Sequence, residues 1–164
     1  MVYTHNKMIA GTGDAGGPEN HMLTVNDLMT EIPNTVTPQS SLRQVIELMK
    51  TQNCRQLPVL DNGKLVGIIT DRDVRLVMNS PLVLHGRWQD EEILDNITAE
   101  TCMTPDPLTI TPETPAYQAA NMLSIYKFGA LPVVDHGVLV GIITVTDFLN
   151  YFAMQHPEMI DQAE

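Results

Sequence analysis

The spacing of apolar residues along the chain predicts the same order of helices and strands twice. Two segments have the i, i+3, i+4, i+7 spacing of a helix with one buried face. Their apolar positions are Leu42, Val45, Ile46 and Met49 in the first and Ala116, Ala119, Ala120 and Leu123 in the second. Each is followed by two apolar runs joined by a tight turn, a pattern that predicts a β-hairpin. In the first copy the runs are QLPVL and LVGIIT around the turn DNG, and in the second they are ALPVV and LVGIIT around DHG. One residue, Lys64 or Val138, separates each turn from the run that follows it.

Polar residues that favour helix starts set the expected boundaries of these elements. Ser40 and Thr114 are predicted N-caps, and Pro115 is expected at the first helical position. Short helical turns, VNDLMT and AETCMT, begin each copy. The remaining elements are predicted strands at 34–36 and 108–110 and closing helices at 71–78 and 145–154. The order in each copy is strand, helix, strand, strand, helix, so the fold class is α/β (α+β), with two helices on one sheet face.

A shift of 74 residues aligns the two halves without a gap. Residues 23–75 align with residues 97–149, and 20 of these 53 pairs are identical. The chain is a tandem duplication, and each copy of about fifty residues is too small to bury a comfortable core alone. We therefore expect two copies packed about a pseudo-twofold axis. The expected organisation is a flexible leader at 1–22, repeat 1 at 23–78, a connector at 79–96, repeat 2 at 97–154 and a tail at 155–164.

Composition and charge exclude several classes of function. Nine basic residues against twenty acidic ones leave a net charge of −11, which argues against a nucleic-acid or anionic-membrane surface. No apolar run approaches the ~18 residues of a membrane span, and the first residues do not form a signal peptide. Cys54 and Cys102 have no paired spacing, so we expect a reduced, cytoplasmic protein. The five histidines have no zinc-ligand spacing, and no catalytic arrangement is evident, so we expect no metal, no required cofactor and no enzymatic activity.

The repeated Gly-Ile-Ile-Thr-x-x-Asp is the motif most able to carry chemistry. Thr70 and Thr144 fall where a strand ends and a helix starts, and Asp73 and Asp147 follow three residues later. In a structural interpretation this is a capping box, in which the hydroxyl accepts from an unpaired helix amide. In a functional interpretation the helix N-terminus suits a phosphate, and the carboxylate accepts from ribose hydroxyls. The spacing leaves both interpretations open.

The pattern LPVLDNGKLVGIITDRDV followed by LPVVDHGVLVGIITVTDF resembles a tandem pair of CBS (cystathionine β-synthase) domains, a Bateman module. The resemblance covers roughly residues 23–152. It implies two pseudo-twofold-related βαββα units packed sheet to sheet, with two clefts between them. It also implies frequent association of two such modules into a disc-like dimer. The ligands it implies are adenosine-containing molecules: AMP, ADP or ATP, and less often S-adenosylmethionine or NAD.

The resemblance also assigns roles to residues. Thr70 and Thr144 are similar to hydroxyl donors near ribose and phosphate, and Asp73 and Asp147 to ribose-binding carboxylates. The segments that line the clefts in the family correspond to Cys54, Arg55 and Gln56 in repeat 1 and to Phe128, Gly129 and Ala130 in repeat 2. The positions that sandwich the base correspond to Thr35, Val36 and Thr37 and to Thr109, Ile110 and Thr111.

The two expected sites differ in charge. Repeat 1 places Arg55, Arg72 and Arg75 around its motif, and guanidinium groups suit phosphate oxygens. Repeat 2 has Gly129, Thr146 and Leu149 at the same positions, and Lys127 is its nearest cation along the sequence. We therefore expect the Asp73 site to be the better nucleotide site. The alternative is that the arginines only pair with Asp71 or other surface acids.

These features predict a stand-alone regulatory module that binds an adenine nucleotide and signals to a separate, unidentified protein. The alternative is a dimerisation or scaffold module whose clefts bind nothing. A homodimer is expected in either case. The acidic connector is interpreted as a solvated linker or, alternatively, as an element that contacts a partner.

Overall fold

The computed structural model describes residues 22–78 and 94–155. The predicted leader apart from Met22, the connector up to residue 93 and the tail beyond Gln155 lie outside the described residues. Repeat 1 consists of α1 (Val25–Leu28), β1 (Thr30–Glu31), α2 (Leu42–Thr51), β2 (Gln56–Asp61), β3 (Lys64–Thr70) and α3 (Asp71–Met78). Repeat 2 consists of α4 (Ala99–Cys102), β4 (Thr104–Pro105), α5 (Ala116–Tyr126), β5 (Ala130–Asp135), β6 (Val138–Thr144) and α6 (Val145–Met154).

Each repeat is built around the antiparallel hairpin that its sequence predicts. Strand β2 pairs with β3 and β5 pairs with β6, and both hairpins have a register irregularity at the same place. Asn62 and Gly63 have φ angles of 48° and 79°, and His136 and Gly137 have 47° and 83°. Two consecutive positive φ angles define the tight turn whose twist matches that of the flanking strands. The closing helices α3 and α6 occupy the predicted ranges.

The short elements that begin each repeat belong to the sheet and core of the other repeat. Strand β1 pairs with β6, and β4 pairs with β3, so each three-stranded sheet contains a strand from both repeats. Val25 of α1 is fully buried in the core of repeat 2, and Ala99 of α4 is fully buried in the core of repeat 1. The sequence did not predict this exchange. It ties the two repeats together, because neither core is complete without a segment from the other repeat.

The repeated glycine of the motif makes room for this exchange. A Cβ atom at Gly67 would overlap the sulfur of Met103 and lie 2.9 Å from its Cγ. A Cβ at Gly141 would lie 2.5 Å from the sulfur of Met29 and 3.2 Å from the carbonyl oxygen of Thr30. Real Cβ atoms essentially never lie as close as 2.5 or 2.9 Å to another heavy atom, and the 3.2 Å distance is tighter than most Cβ contacts. The methionine of each repeated Met-Thr pair therefore packs on the repeated glycine of the other repeat, so the duplicated sequence forms the same contact twice.

The N-cap of α2 is one residue later than predicted. Ser41, not Ser40, caps the helix: its backbone N–H donates to Gln44 Oε1 at 3.0 Å, and its Oγ accepts from the Gln44 amide at 3.3 Å. Ser40 Oγ instead accepts from the backbone N–H of Thr37 at 3.1 Å. The Ser40 hydroxyl closes the preceding turn and is therefore not available to the helix.

Repeat 2 shows the same shift. Pro115 occupies the N-cap position of α5, and Thr114 Oγ1 accepts from the Thr111 amide at 3.1 Å.

The predicted strands at 34–36 and 108–110 are also shorter than expected. They are single parallel bridges, Val36 to Val59 and Ile110 to Val133, and the residues that follow them, Thr37 and Thr111, belong to turns closed by Ser40 and Thr114.

Candidate functional site

Thr70 and Asp73 form a closed hydrogen-bonded unit at the junction of β3 and α3. The strand ends at Thr70 and the helix begins at the next residue, without a loop. The backbone N–H and Oγ1 of Thr70 donate to Asp73 Oδ2 at 2.8 and 2.7 Å, and the Asp73 amide donates to Thr70 Oγ1 at 3.2 Å. Both side chains are partly buried. The structure therefore forms the capping box that the structural interpretation of the motif requires, and this box engages one of the two carboxylate oxygens.

Repeat 2 reproduces this geometry. Thr144 donates to Asp147 Oδ2 from its backbone at 2.7 Å and from Oγ1 at 2.8 Å, and the Asp147 amide donates back at 3.3 Å. A third unit of the same kind joins Thr24 to Asp27 at the start of α1, with two donor distances of 2.8 Å. The Thr-x-x-Asp spacing by itself therefore marks a helix start. A binding function has to be argued from what surrounds the motif.

Several predicted site residues of repeat 1 lie at the same end of its hairpin. Gln56 is paired with Thr70, and the carbonyl of Arg55 accepts from the backbone N–H of Asp71 at 2.9 Å. These contacts place Arg55 and Gln56 beside the first turn of α3. In repeat 2, Ala130 is paired with Thr144, and the Gly129 carbonyl accepts from the Val145 amide at 3.2 Å. Four of the predicted segments therefore form two matching sites, each with a backbone strand end, a helix N-terminus and a carboxylate.

The predicted first-strand residues lie along the outer edge of each hairpin. The Val36 amide donates to the Pro58 carbonyl at 3.1 Å, and the Ile110 amide donates to the Pro132 carbonyl at 3.2 Å. The side chains of Val36 and Ile110 are each 7% exposed and pack in the cores of their repeats. Thr35 is partly exposed and Thr109 is exposed. The threonine side chains and the backbone of these segments are therefore the groups that can face a ligand.

The arginines of repeat 1 are not equivalent. Arg75 forms an ion pair with Asp71, with Nη2 2.7 Å from Oδ2, and its Nε donates to the Asp71 carbonyl at 3.2 Å. This pairing is the alternative that the sequence left open for the arginine cluster. Arg55 and Arg72 have exposed side chains at the hairpin end and in the first turn of α3. These two guanidinium groups therefore remain the better candidates for contact with an anion.

The second site is poorer in positive charge. Lys127 is exposed and lies at the C-terminal end of α5, with a left-handed φ of 58°. A Cβ at Gly129 would lie 2.9 Å from Nε2 of Gln56, so the first residue of β2 contacts the segment before β5. The central strands β3 and β6 also pack against each other. The two candidate sites are therefore neighbours across the pseudo-twofold axis, and the Gln56 amide lies at the point where they meet.

Cys102 is a neighbour of the first site that the sequence did not predict. Burial raises the pKa of its thiol, and the Asp73 carboxylate raises this pKa further. Cys102 ends α4, which packs against α3 through the exchange of segments. Because the exchange was not predicted, nothing in the sequence could place this residue beside Asp73. Burial likewise raises the pKa of Cys54, against a smaller opposite effect of a backbone hydrogen bond.

An open groove of about 540 Å³ lies beside α2, along the outer edge of repeat 1. Thr35, Val36 and Thr37, which the resemblance places around the base, line it. The rest of its lining was not predicted as part of a site and comprises Ser40, Gln44, Glu47, Leu48, Thr51 and Leu60. Among the described residues, no group of three or more metal-binding side chains is present, and no helix is long and apolar enough to cross a bilayer.

Comparison with protein families gives two matches to the CBS domain, at residues 25–80 and 97–154. The chain belongs to the CBS domain family. A CBS domain-containing protein of Dictyostelium discoideum is 34% identical over 128 residues, which are 77% of this chain and 88% of that protein. The inosine-5'-monophosphate dehydrogenase of Korarchaeum cryptofilum is 33% identical over 124 residues, but the match covers 22% of that enzyme. CBS domains like these therefore occur both as most of a protein and as a minor part of an enzyme.

Solved structures of CBS pairs have the same fold. CBSX2 in complex with AMP has a TM-score of 0.68 and 29% identity, covering 80% of this chain and 97% of that one. CBSX2 is a protein of Arabidopsis thaliana. The CBS domain pair of MJ0100, in complex with 5'-methylthioadenosine and S-adenosyl-L-methionine, has a TM-score of 0.68 and 27% identity, covering 82% and 98%. Relatives of this fold and size therefore bind adenosine-containing ligands.

Proposed function

We propose that this chain is a regulatory module that binds an adenine nucleotide at the hairpin ends between its two repeats. The observation that carries the proposal is the paired arrangement of a strand end, a helix N-terminus and a Thr-Asp unit, present in both repeats. Relatives of matching length were solved with AMP, or with 5'-methylthioadenosine and S-adenosyl-L-methionine. AMP, ADP and ATP are the proposed ligands, and S-adenosylmethionine and NAD are weaker candidates.

The carboxylates give the proposed site its selectivity for a ribose. Asp73 Oδ2 already accepts from Thr70, which fixes the orientation of the carboxylate. Oδ1 is then held in a defined direction, and a carboxylate oxygen can accept from a ribose hydroxyl. The capping box and the binding role are therefore compatible, since the first positions the group that the second uses. Asp147 is positioned in the same way in repeat 2.

Charge favours the first site for a phosphorylated ligand. Arg55 and Arg72 provide two exposed guanidinium groups near the N-terminus of α3, which itself attracts anions. Repeat 2 has Gly129 and Thr146 at these positions. We infer that the Asp73 site binds nucleotides more tightly, and that the Asp147 site is weaker, takes fewer phosphates or stays empty.

Binding regulates only if the ligand distinguishes between two arrangements of the protein. The contact of Gln56 with Gly129 and the exchanged segments offer a route by which one site affects the other repeat. We infer that the module acts in the cytoplasm as a homodimer, is not an enzyme, and passes its occupancy to a separate protein.

A ligand-free scaffold is the second candidate function. The complete capping boxes and the Arg75–Asp71 ion pair favour it, because they account for the Thr, Asp and Arg75 side chains without a ligand. The two candidates differ in one measurable respect. A nucleotide-binding module gains stability with ligand, by about 2.7 kcal/mol at a ligand concentration 100 times Kd, and a scaffold gains none.

The test is equilibrium unfolding in urea with and without AMP, ADP or ATP. Asp73→Ala removes both the cap and the proposed ribose contact, whereas Asp27→Ala removes an equivalent cap at α1, which packs on the core of repeat 2. Both variants should lose about 1 kcal/mol without ligand. Ligand-dependent stabilisation should persist in Asp27→Ala and disappear in Asp73→Ala. Equal stabilisation of both variants would exclude Asp73 from the site, and no stabilisation of the wild type would support the scaffold.

A further inference from the structure

The sheet of repeat 2 carries two exposed apolar side chains near its hairpin turn. Ile32, which directly follows β1, is 89% exposed, and Val138, the first residue of β6, is 58% exposed. The backbone N–H of Ile32 donates to the Val140 carbonyl at 3.1 Å. Ile32 therefore meets β6 two residues from Val138, a separation of about 7 Å along the strand. We call Ile32 and Val138 the edge pair.

The backbone at Ile32 is strained. Its φ angle is 47°, in the left-handed region that a β-branched side chain rarely adopts. The other described non-glycine residues with a positive φ are not β-branched: Asn53, Asn62, Asp106, Lys127 and His136. The Ile32 side chain gains nothing by burial that would offset this strain. Strain of this kind is typical of positions that are kept for a function.

Repeat 1 shows that the fold does not require apolar residues at these positions. Asp106 and Lys64 are the equivalents of the edge pair, and both are exposed. Asp106 has the same backbone conformation, with a φ of 46°, and its N–H donates to the Val66 carbonyl at 3.1 Å. Charged side chains, lysine above all, commonly protect a sheet edge from pairing with a further strand. The edge is therefore protected by charge in repeat 1 and apolar in repeat 2.

Strand β1 covers only part of the edge of β6. It pairs with Gly141 and Ile142 and ends at Glu31. The residues at the start of β6 pair with β5 on one side and with no described strand on the other. An extended peptide can add to such an edge through backbone hydrogen bonds, while its alternate side chains contact the exposed apolar residues.

Charge favours a basic partner over a second copy of this chain. Glu31 precedes Ile32 and is exposed, and Asp135 is paired with Val138 across the hairpin. His136 lies against the Asp135 carboxylate and offsets its charge only when protonated. Two copies that met here would bring these carboxylates together, each on a chain with a net charge of −11. Lysine or arginine residues of a partner would instead complement them.

We propose that the edge pair is the docking site for an extended basic segment of a separate protein, which lies alongside the start of β6. The segment places an apolar side chain on Ile32 and Val138 and basic side chains beside Glu31 and Asp135. The proposal rests on the part of the proposed function that assigns the module a separate protein partner, and it does not depend on nucleotide binding.

The test is selection of peptides from a random dodecapeptide phage library on the full-length chain, followed by fluorescence anisotropy with the enriched peptides. Ile32→Asp combined with Val138→Lys gives repeat 2 the residues that repeat 1 has at these positions. We expect peptides with an apolar residue flanked by Lys or Arg, and binding at least about tenfold weaker in this double variant. Leu76→Asp is the control, because Leu76 is 64% exposed on α3 of repeat 1, and it should bind like the wild type.

A second variant separates the apolar contact from charge and tests the strain. Ile32→Asn introduces no charge, and asparagine tolerates the left-handed region. It should raise Tm by about 2–6 °C and still weaken peptide binding at least about tenfold. An unchanged or lower Tm would show that isoleucine suits the isolated chain, and would overturn the inference that Ile32 is kept for a partner.

Each remaining outcome decides a separate point. No enrichment on the wild type, or peptides that bind the double variant equally well, would overturn the docking site. Enrichment of acidic or wholly apolar peptides would overturn the basic character of the partner. An association state that changes in the double variant, measured by sedimentation equilibrium, would assign the edge to a second copy instead. Nucleotide titration of the wild type and the double variant measures the proposed binding function independently, because the edge pair lies outside both candidate sites.

Discussion

Replacing Gly67 by Ala tests whether the exchanged segments hold the two repeats together. Gly67 lies in β3 and is paired with Pro105 of β4, the strand that repeat 2 contributes to this sheet. The added methyl group would overlap the sulfur of Met103 and approach its Cγ to 2.9 Å and its Cε to 3.2 Å. Met103 packs against the core of repeat 1, so it cannot move without losing contacts there.

Two opposing effects set the magnitude of this change. Overpacking of a well-filled site costs about 1–3 kcal/mol. The reduced entropy of the unfolded chain returns about 0.4–1 kcal/mol, since Gly67 does not have the left-handed φ that would strain an alanine. We expect a net loss of about 1–2 kcal/mol in the free energy of unfolding. For a chain of this size, that corresponds to a decrease of roughly 2–8 °C in Tm.

The assay is a double-mutant cycle followed by urea unfolding. Met103→Ala removes the atoms that the new methyl group would meet. In that background Gly67→Ala should be neutral or stabilising, so the coupling energy should have the opposite sign to the single-variant loss. Equal destabilisation of both backgrounds would show that Met103 is not the obstacle. In that case the close packing of β4 on β3 would not explain the repeated glycine.

Further expectations concern the second glycine and two titrating groups. Gly141→Ala should be rescued less completely by Met29→Ala in the same unfolding assay, because the Thr30 carbonyl also lies 3.2 Å from the new Cβ and belongs to the backbone. Asp73→Asn should lower the pKa of the Cys102 thiol, since it removes the carboxylate that adds to the effect of burial, and the pH dependence of Cys102 alkylation checks this. An unchanged pH profile would show that the Asp73 carboxylate does not affect the Cys102 thiol. The hydrogen bond from Arg43 lowers the pKa of Asp95, so the pair stabilises the fold above the ordinary pKa of 3.8 and loses this effect as pH falls. Arg43→Ala should therefore raise the Asp95 pKa in a carboxyl NMR titration.

Local sequence patterns predicted the hairpins, the closing helices and the Thr-Asp units. Each of these depends on neighbouring residues: consecutive positive φ angles at Asn62 and Gly63, or a hydroxyl three residues before a carboxylate. The N-caps were misplaced by one residue, because the Ser40 and Thr114 hydroxyls each satisfy a turn amide instead of a helix amide. A choice between two nearby amides depends on backbone geometry that the sequence pattern does not contain.

The exchange of α1–β1 and α4–β4 could not be predicted from the duplication. A four-residue helix with one buried residue, such as Val25, fits the core of either repeat equally well as a pattern. Only the packing of Met29 and Met103 on the glycines of the opposite repeat decides between them. For the same reason the approach of Cys102 to Asp73 and of Gln56 to Gly129 was missed. The contact of Gln56 with Gly129 connects the two candidate sites.

The most direct measurement for the nucleotide-binding proposal is calorimetric titration of the wild-type chain and its Asp73→Ala, Asp147→Ala and Asp27→Ala variants. The ligands are AMP, ADP, ATP, S-adenosylmethionine and NAD. We expect saturable binding of at least one adenine nucleotide to the wild type and to Asp27→Ala, with loss of the tighter site in Asp73→Ala. Flat titrations of the folded wild type with all five ligands would contradict a nucleotide-binding role and leave the Thr-Asp units as helix caps.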